Sequence, residues 1–359
     1  MMAGLEITDP VQLHVALASP EIIPGDTLYL RGGNYTIGDL TVALQGTSEA
    51  HITIRPYDES EPATIVPITG QRCFYIEGAH LDFLGLTLDA SNCEIEAVKI
   101  TDGADNVVLD SLDISNAGRH GVLVTHSTNI TIQDCTIYDN GADDLDHQIY
   151  VSQQAFDVSI LRNIIYGGFG YGVHIYGGEQ ADVNLIERNY IHDQPRAGIG
   201  LFHGQNTVRN NVVRGCLRGI AVDYSSKAAY LYHNTMTDIT QYCLHSSTPT
   251  IANTIDAINN VFDSAEIGVQ ALNTKAANQT LTLKNNLYSR LDADVNIALN
   301  VNTLRNGEIS ESVLPITDNG SQFQPTVGSP AIGAGLTGYA ADDYAGIARA
   351  NPPTIGAWE

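Results

Sequence analysis

The stretch TVRNNVVRGC (207–216) places two adjacent asparagines inside an apolar segment, and LYHNTMTD (231–238) and LKNNLYSR (283–290) have the same character. A buried amide without a hydrogen-bond partner costs roughly 1–3 kcal/mol. A chain that repeats such an amide must therefore satisfy it. The repetition predicts that neighbouring segments bond one another's asparagines.

Apolar segments of alternating pattern recur along the chain at steps of 21 to 27 residues. Each is followed by a second alternating segment, such as NITIQDCTI or AYLYHNTMT. A strand pair that returns at this period is typical of a solenoid, in which each coil stacks on the one before. The first segments are HGVLVT (120–125), HQIYVS (147–152), YGVHIY (171–176), AGIGLF (197–202), RGIAVD (218–223), YCLHSS (242–247) and IGVQAL (267–272).

One asparagine per coil falls in register between the second and third short strands. At the strand separation of about 4.8 Å, each amide could bond the amide of the next coil. Cys135 holds the same position one coil earlier, so we expect the series to begin there. The series comprises Asn163, Asn189, Asn211, Asn234, Asn260 and Asn286.

The two ends of the chain differ from the middle. DPVQLHVALASP (9–20) has helical spacing at Val11, Leu13, Ala16 and Leu17, with Asp9 as N-cap and Pro10 at the first helical position. A helix there would cover the open edge of the first coil. The C-terminal segment is rich in Gly, Pro and Ala, so we expect it to cap the opposite end. We predict an N-terminal cap over 1–24, a β-helix over 25–295, and C-terminal coils and cap over 296–359.

The opening PGDTLYLRGGNYT with AHITIRPYD, the NNVV type of coil and the closing SPAIGAG and PPTIGAWE resemble the pectate-lyase-like superfamily. Its members are right-handed parallel β-helix proteins, including polysaccharide lyases, epimerases and phage tailspike depolymerases. The resemblance implies an all-β, right-handed parallel β-helix with a short N-terminal capping helix and an irregular C-terminal cap. It also implies a polysaccharide partner, and it leaves open a homotrimer, as in tailspikes, or a monomer, as in secreted lyases.

The composition disfavours some classes of binding partner. The net charge of −24, from 41 acidic and 17 basic residues, disfavours nucleic acids and anionic membranes. An acidic surface suits a secreted, marine or virion protein, or solubility alone. The five cysteines lack metal-ligand spacing. The N-terminus lacks a signal-peptide pattern, and no run of about 18 apolar residues predicts membrane insertion. We expect an extracellular or virion-associated location.

Alternation along the strands predicts a candidate binding strip over 147–245. With residues such as Ile149, Val173, Ile199 and Ile220 inside, the intervening side chains point outward. We predict proton-handling roles for Tyr150, His174 and Asp223, and aromatic platforms at Tyr176 and Phe202. Further substrate contacts are predicted at His147, His245, Arg196 and Arg218.

The turn NGADDLDHQIYV (140–151) carries Asp143, Asp144 and Asp146 before His147. These carboxylates are candidate ligands for a hard cation such as Ca²⁺, or a cluster in which one acid has a raised pKa and donates a proton. The third alternative is an acidic turn exposed to solvent.

The chemistry on the strip stays open at the level of sequence. A uronate lyase needs a cation and a base, but the Lys–Arg pair of known uronate lyases and the DPHE motif of mannuronan epimerases are missing. A glycosidase needs two carboxylates, for which Asp223 with Asp193 or Glu179 are candidates. The alternative to both is a non-catalytic virion or surface protein whose β-helix forms a stiff spike or decoration.

Overall fold

The computed structural model describes residues 4–38, 40–177, 183–275, 278–311, 316–318 and 323–359. The chain divides into two compact units, Met1–Val173 and His174–Glu359, here called unit 1 and unit 2. Each unit is built from parallel strands, and the fold class is the predicted right-handed parallel β-helix. Among the described residues, no helix has the length and apolar character needed to cross a bilayer.

Unit 1 stacks its strands in three parallel sheets. The first sheet joins β1, β2, β5, β8, β11, β14 and β17, the second β3, β6, β9, β12, β15 and β18, and the third β4, β7, β10, β13 and β16. The strands are β1 (Gly4–Ile7), β2 (Thr27–Leu30), β3 (Gly33–Ile37), β4 (Thr41–Val42), β5 (Ile52–Pro56), β6 (Ala63–Pro67), β7 (Phe74–Ile76), β8 (Leu81–Leu84), β9 (Thr87–Asp89), β10 (Val98–Ile100), β11 (Val107–Asp110), β12 (Asp113–Ser115), β13 (Val122–Thr125), β14 (Thr128–Gln133), β15 (Thr136–Tyr138), β16 (Ile149–Ser152), β17 (Phe156–Leu161) and β18 (Ile164–Tyr166).

Unit 2 repeats this arrangement with longer strands that run from one sheet into the next. Its last two strands pair antiparallel with each other. The strands are β19 (Val173–Tyr176), β20 (Val183–Glu187), β21 (Tyr190–His192), β22 (Ala197–Arg209), β23 (Val212–Arg214), β24 (Arg218–Tyr232), β25 (Thr235–Thr237), β26 (Tyr242–Ser246), β27 (Asn253–Ile258), β28 (Val261–Ala271), β29 (Gln279–Lys284), β30 (Leu287–Ile297), β31 (Val301–Asn306), β32 (Ile309–Glu311), β33 (Ile316–Asp318) and β34 (Phe323–Pro325).

The helix α1 (Pro10–Leu17) begins as predicted. Asp9 accepts hydrogen bonds from the backbone N–H groups of Val11 and Gln12, and Leu13, Ala16 and Leu17 are buried. Val11, which we expected on the same apolar face, is 68% exposed. A strand, β1, precedes the helix and extends the first sheet, so the N-terminal segment is part sheet and part helix.

A two-residue turn recurs between the strands of the first and second sheets in both units. Its first residue, here called the outer turn residue, has a positive φ, and its second, the inner turn residue, points into the core. In unit 1 the outer residues Gly85, Ser111, Asp134 and Arg162 precede the inner residues Leu86, Leu112, Cys135 and Asn163. In unit 2 the outer residues Arg188, Asn210, His233, Asn259 and Asn285 precede the inner residues Asn189, Asn211, Asn234, Asn260 and Asn286.

The inner asparagines of unit 2 form the predicted ladder. Asn211 donates from its backbone N–H and its side-chain Nδ2 to Oδ1 of Asn234, at 3.1 and 3.0 Å. Asn234 bonds Asn260 in the same way at 2.9 and 3.0 Å. The Nδ2 groups of Asn234 and Asn260 also donate to backbone carbonyls of the preceding coil, at Val208 and Leu231. In unit 1 the backbone N–H of Cys135 donates to Asn163 Oδ1 at 2.9 Å, which confirms the predicted position of the cysteine.

The outer residues of unit 2 bind residues 331–359, here called the tail. Asn259 donates to the carbonyl of Leu336 and accepts from its N–H, both at 2.8 Å, and Asn285 donates to the carbonyl of Ala334. His233 Nδ1 lies 3.1 Å from the carbonyl oxygen of Thr354. These contacts run along several coils, because the outer side chains present one hydrogen-bonding row.

Arg349 fixes the tail from its own side. Its guanidinium donates to Asn210 Oδ1 at 2.9 Å and to the carbonyls of Asp342, Thr354, Gly356 and Ala357. Apolar contacts complete the attachment, and they group Trp358 with Tyr190 and Val212, and Ile355 with Val261 and Leu287. Where both turn residues are asparagines, the inner amide therefore bonds neighbouring coils inside the β-helix, and the outer amide bonds the tail.

Candidate functional site

The site-bearing sheet of unit 2 aligns Gly200, Ala221, His245 and Gln270 on successive strands. Ile199, Ile220 and Val222, at the predicted inward positions beside them, are fully buried. The small side chains at positions 200 and 221 leave room for larger neighbours. These neighbours form two groups, one aromatic and one polar.

The aromatic cluster consists of His174, Tyr176, Phe202, His203 and Tyr224. The Phe202 ring lies edge-on to His174, with centroids 4.9 Å apart, and 5.0 Å from the Tyr224 ring. Tyr176 stands perpendicular to Tyr224 at 6.3 Å. Tyr176 and Tyr224 are 43% and 44% exposed, whereas Phe202 and His174 are buried. Two open tyrosine rings thus flank a buried aromatic floor.

Tyr224 and His203 escaped the sequence analysis because the strand alternation breaks at this point. The pairing of β22 with β24 shifts register between Leu201 and His203. A bulge of this kind redirects side chains that strict alternation would place inside. Tyr224 has a φ of +53°, which is uncommon for a residue with a side chain. The sequence signal that marks Tyr224 is its position directly after Asp223 in a long strand.

The polar cluster consists of Arg218, Asp223, Tyr242, His245 and Ser247. Asp223 Oδ1 accepts hydrogen bonds from the backbone N–H groups of Ser247 and Thr248, each at 2.7 Å. His245 Nε2 lies 3.1 Å from the Ser247 hydroxyl and 3.8 Å from Asp223 Oδ2. The carboxylate therefore holds the chain after β26 in place and approaches the imidazole.

The electrostatics of this cluster follow from burial. Burial raises the pKa of Asp223, although the two backbone N–H groups and Arg218 oppose the rise. Burial also lowers the pKa of His245 to about 4, and the Arg218 charge adds to that effect. Tyr242 stacks on His245 with centroids 5.1 Å apart, and Arg218 donates to Gln241 at 3.2 Å. At neutral pH the cluster thus contains an uncharged imidazole beside a carboxylate and a guanidinium.

This geometry excludes a nucleophilic triad. In such a triad the carboxylate bonds Nδ1 of the histidine while the serine bonds Nε2. Here Ser247 and Asp223 both approach Nε2 of His245. The neutral imidazole could still accept a proton from a bound ligand.

In unit 1, Tyr150 is partly exposed and contacts His120 and His147 at centroid distances of 4.9 and 5.0 Å. The two histidines belong to a turn ladder. The His147 N–H donates to His120 Nδ1 at 3.0 Å, and the Tyr171 N–H donates to His147 Nδ1 at 3.2 Å. Burial lowers the pKa of His120 to about 4. His147, predicted as a substrate contact, is buried, and its Nδ1 accepts the Tyr171 N–H.

The three aspartates of the predicted cation site lie in different surroundings. Asp146 is buried, pairs with Arg119 at 3.1 Å and accepts from the N–H groups of Ala142 and Asp143. Asp143 Oδ1 accepts from Leu145 N–H, and Asp144 is exposed. Within the described ranges, no three His, Cys, Asp or Glu side chains are placed to hold a metal ion. The short turn directs its carboxylates to local donors, so they do not converge.

The remaining residues predicted for the binding strip are buried or partly buried. Asp223, His245, His174 and Phe202 are all buried, so the outward sheet face is covered by neighbouring side chains and is less open than we expected. Arg196 and Arg218 are partly buried. Among the glycosidase candidates, Asp193 contacts its neighbour His192 at 2.8 Å, and Glu179 lies outside the described residues.

Comparison with solved structures shows the fold. Pectate lyase Pel9A superposes with a TM-score of 0.69 at 13% identity, over 100% of this chain and 97% of the lyase. The A-module of the Azotobacter vinelandii mannuronan C-5 epimerase AlgE4 gives 0.58 at 14% identity, over 87% and 96%. The ORF18 protein of Geobacillus virus E2 gives 0.52 at 12% identity, over 85% of this chain and 59% of the viral protein.

Sequence comparison gives the family. No curated protein sequence matches the chain significantly. The family model described as the right handed beta helix region matches residues 77–184 and 102–261. The two matches together span just over half of the chain, which therefore belongs to the right-handed β-helix family.

Proposed function

We propose that unit 2 binds an extended polysaccharide across the aromatic cluster. The observation that carries this proposal is the pair of half-exposed rings, Tyr176 and Tyr224, on a floor made by Phe202 and His174. Aromatic rings offer an apolar face to sugar C–H groups, and the tyrosine hydroxyls can hydrogen-bond sugar hydroxyls. Neighbours of the same fold, a pectate lyase and a mannuronan epimerase, are named for polysaccharides.

The charge favours a neutral polysaccharide. The chain carries a net charge of −24, which repels polyanions unless a groove is locally positive. In the polar cluster the Arg218 charge stands beside the Asp223 carboxylate. The cluster therefore supplies hydrogen-bonding groups with little net positive charge.

Affinity electrophoresis tests the binding proposal. Gels containing neutral polysaccharides such as xyloglucan, galactomannan and dextran are compared with gels containing pectate and alginate. We expect at least one neutral polymer to retard the chain, and we expect the Tyr176→Ala/Tyr224→Ala double variant to lose about tenfold in apparent affinity. The matched control is Tyr57→Ala, which removes an exposed tyrosine of unit 1. Equal retardation of the double variant and the wild type would contradict the proposal.

Cleavage is a second candidate, favoured by the uncharged His245 beside Arg218 and Asp223. A neutral imidazole can activate a water molecule for hydrolysis of a neutral polymer, or take the acidic C5 proton of a uronate. Reducing-end and unsaturated-product assays on the retained polymers would detect either reaction. We expect His245→Gln to abolish product while leaving retardation in place. Product formation unchanged in that variant would remove His245 from the chemistry.

Within this proposal the protein acts outside cells or on a virion, where a polymer of this kind is met. Its oligomeric state separates the two settings, since a homotrimer fits a tailspike-like particle and a monomer fits a secreted protein. Light scattering of the full chain distinguishes them. A stable trimer without turnover would favour the decoration role over cleavage.

A further inference from the structure

We propose that the tail of unit 2 builds a second saccharide site, separate from the aromatic cluster and specific for a short neutral saccharide. A cavity of about 480 Å³ lies between the tail and β22, within the range of pockets that hold small ligands. It shares no residue with the aromatic or the polar cluster. Its main side-chain contributors are Arg209, Thr337, Tyr339, Arg349, Asn351 and Pro353.

An aromatic wall is present at this cavity. Tyr339, partly exposed, lies against Tyr232 with ring centroids 5.0 Å apart. Tyr232 is itself aligned with Arg209 on the neighbouring strand, and it contacts Tyr230 at 6.3 Å. Because Tyr232 packs against one side of Tyr339, the Tyr339 ring is already held in place before a ligand binds. A preformed ring of this kind binds a sugar at low entropic cost.

Hydrogen-bond donors line the same space. Within the part of the chain that the structure describes, the backbone N–H groups of Gly338, Tyr339 and Ala340 have no acceptor. Arg209 uses Nε and Nη2 on Glu187, and Nη1 makes no bond to a described residue. The Thr337 hydroxyl adds a further polar group to the wall. A donor-rich wall matches ligand oxygens.

Charge decides between a sugar and an anion. The Arg209 guanidinium is neutralised by Glu187 at 2.9 and 3.0 Å, and Arg349 lies 3.4 Å from Glu359. Each cationic group at the cavity thus has its own carboxylate. An acidic ligand would find no excess positive charge at the cavity. Sugar hydroxyls can accept hydrogen bonds there without such a charge. The aromatic ring together with neutral donors fits a short neutral saccharide.

Calorimetric titration of the full chain tests this inference in the Tyr176→Ala/Tyr224→Ala background, so that the aromatic cluster does not contribute. The probes are the neutral trisaccharides maltotriose, cellotriose, mannotriose and xylotriose, with trigalacturonate as the acidic comparison. We expect at least one neutral probe to bind. We expect Tyr339→Ala to weaken it about tenfold and Thr337→Val about threefold, with Tyr57→Ala as the matched control.

Three outcomes would overturn the inference: no binding of any neutral probe, equal binding by the Tyr339→Ala variant, or tighter binding of trigalacturonate. Thermal unfolding of each variant confirms that the fold is intact. Loss of polymer retardation in the double variant with trisaccharide binding retained supports both proposals. Failure of either measurement alone contradicts only the site that it probes.

Discussion

The same two-residue turn is used differently in the two units. In unit 1 the inner residues Leu86 and Leu112 are apolar, and the outer residue Ser111 bonds its own neighbour Asp110 at 2.7 Å. A groove of about 490 Å³ lies at this flank, beside Gly85 and Ser111. In unit 2 the inner residues are stacked amides and the outer residues bind the tail.

This difference shows that the β-helix itself does not require asparagine at the inner position. A leucine there fills the core, whereas an amide must be bonded by the coils on both sides. The amide ladder therefore couples each coil of unit 2 to the next. The outer amides add a second set of bonds, to the tail, whereas the outer residues Asp134 and Arg162 of unit 1 bond each other across neighbouring coils.

The largest expected effect comes from breaking the ladder in its middle. Replacing Asn234 with Ala removes the acceptor for Asn211 and the donor to the Val208 carbonyl. Two buried groups left unbonded cost roughly 1–3 kcal/mol each, so we expect about 4 kcal/mol of destabilisation. Urea unfolding monitored by circular dichroism measures it. The matched control is Asn34→Ala in β3 of unit 1, an exposed amide, and a similar loss in both variants would contradict the distinction.

Detaching the tail is expected to lower the free energy of unfolding somewhat less than breaking the ladder. Arg349 is almost fully buried and donates to Asn210 and four tail carbonyls. Arg349→Met keeps most of the side-chain volume but leaves those acceptors unpaired, so we expect a loss of about 3 kcal/mol. Hydrogen exchange of peptides from 331–359 would rise. Arg162→Met, which removes an exposed ion pair with Asp134, should cost less than about 1 kcal/mol.

Low pH is expected to weaken the attachment of the tail in unit 2, because one outer residue there is a histidine. Burial lowers the pKa of His233 to about 3. The folded state holds the ring neutral while the unfolded chain protonates it below about pH 6.5. Stability is therefore complete above pH 6.5 and falls as the pH drops toward 3, by about 1.4 kcal/mol per unit.

We expect the His233→Asn variant, which copies the outer residue of other coils, to lose about 2 kcal/mol less than the wild type between pH 8 and pH 5. Urea midpoints at the two pH values measure the difference. An identical pH dependence in the variant would show that His233 is not the group responsible.

The smallest expected effect comes from one outer amide. Asn259→Gly keeps the positive φ accessible but removes both bonds to Leu336 and the 2.9 Å contact with His233 Nε2. We expect about 1 kcal/mol of destabilisation beyond that of Ser111→Gly, the matched change at an outer position of unit 1. Chemical unfolding of the two variants gives the comparison. Equal losses would mean that the tail adds nothing at this position.

The sequence predicts most of the architecture because a solenoid repeats its local rules. The coil spacing, the inner asparagines, the position of Cys135 and the capping of α1 by Asp9 all follow from short-range patterns, and the structure confirms them. The inner face of the strands is confirmed too, because period-two alternation survives along most strands.

The rest depends on contacts that no local pattern contains. The pairing of Asn259 with Leu336 joins residues 77 positions apart, and nothing in either segment announces it. Tyr224 was missed because a bulge cancels the alternation that would have located it. The inward turn of Asp146 was missed because its partner Arg119 lies one coil away.

The outer row of unit 2 has a consequence for how this protein can change in length. Successive outer side chains stand one coil apart, about 4.8 Å, and those of Asn210, His233, Asn259 and Asn285 each contact a tail carbonyl. Inserting or deleting a coil between Asn210 and Asn285 would put the tail out of step. The tail therefore limits the number of coils in this stretch, and duplication of a coil would need a compensating change in the tail.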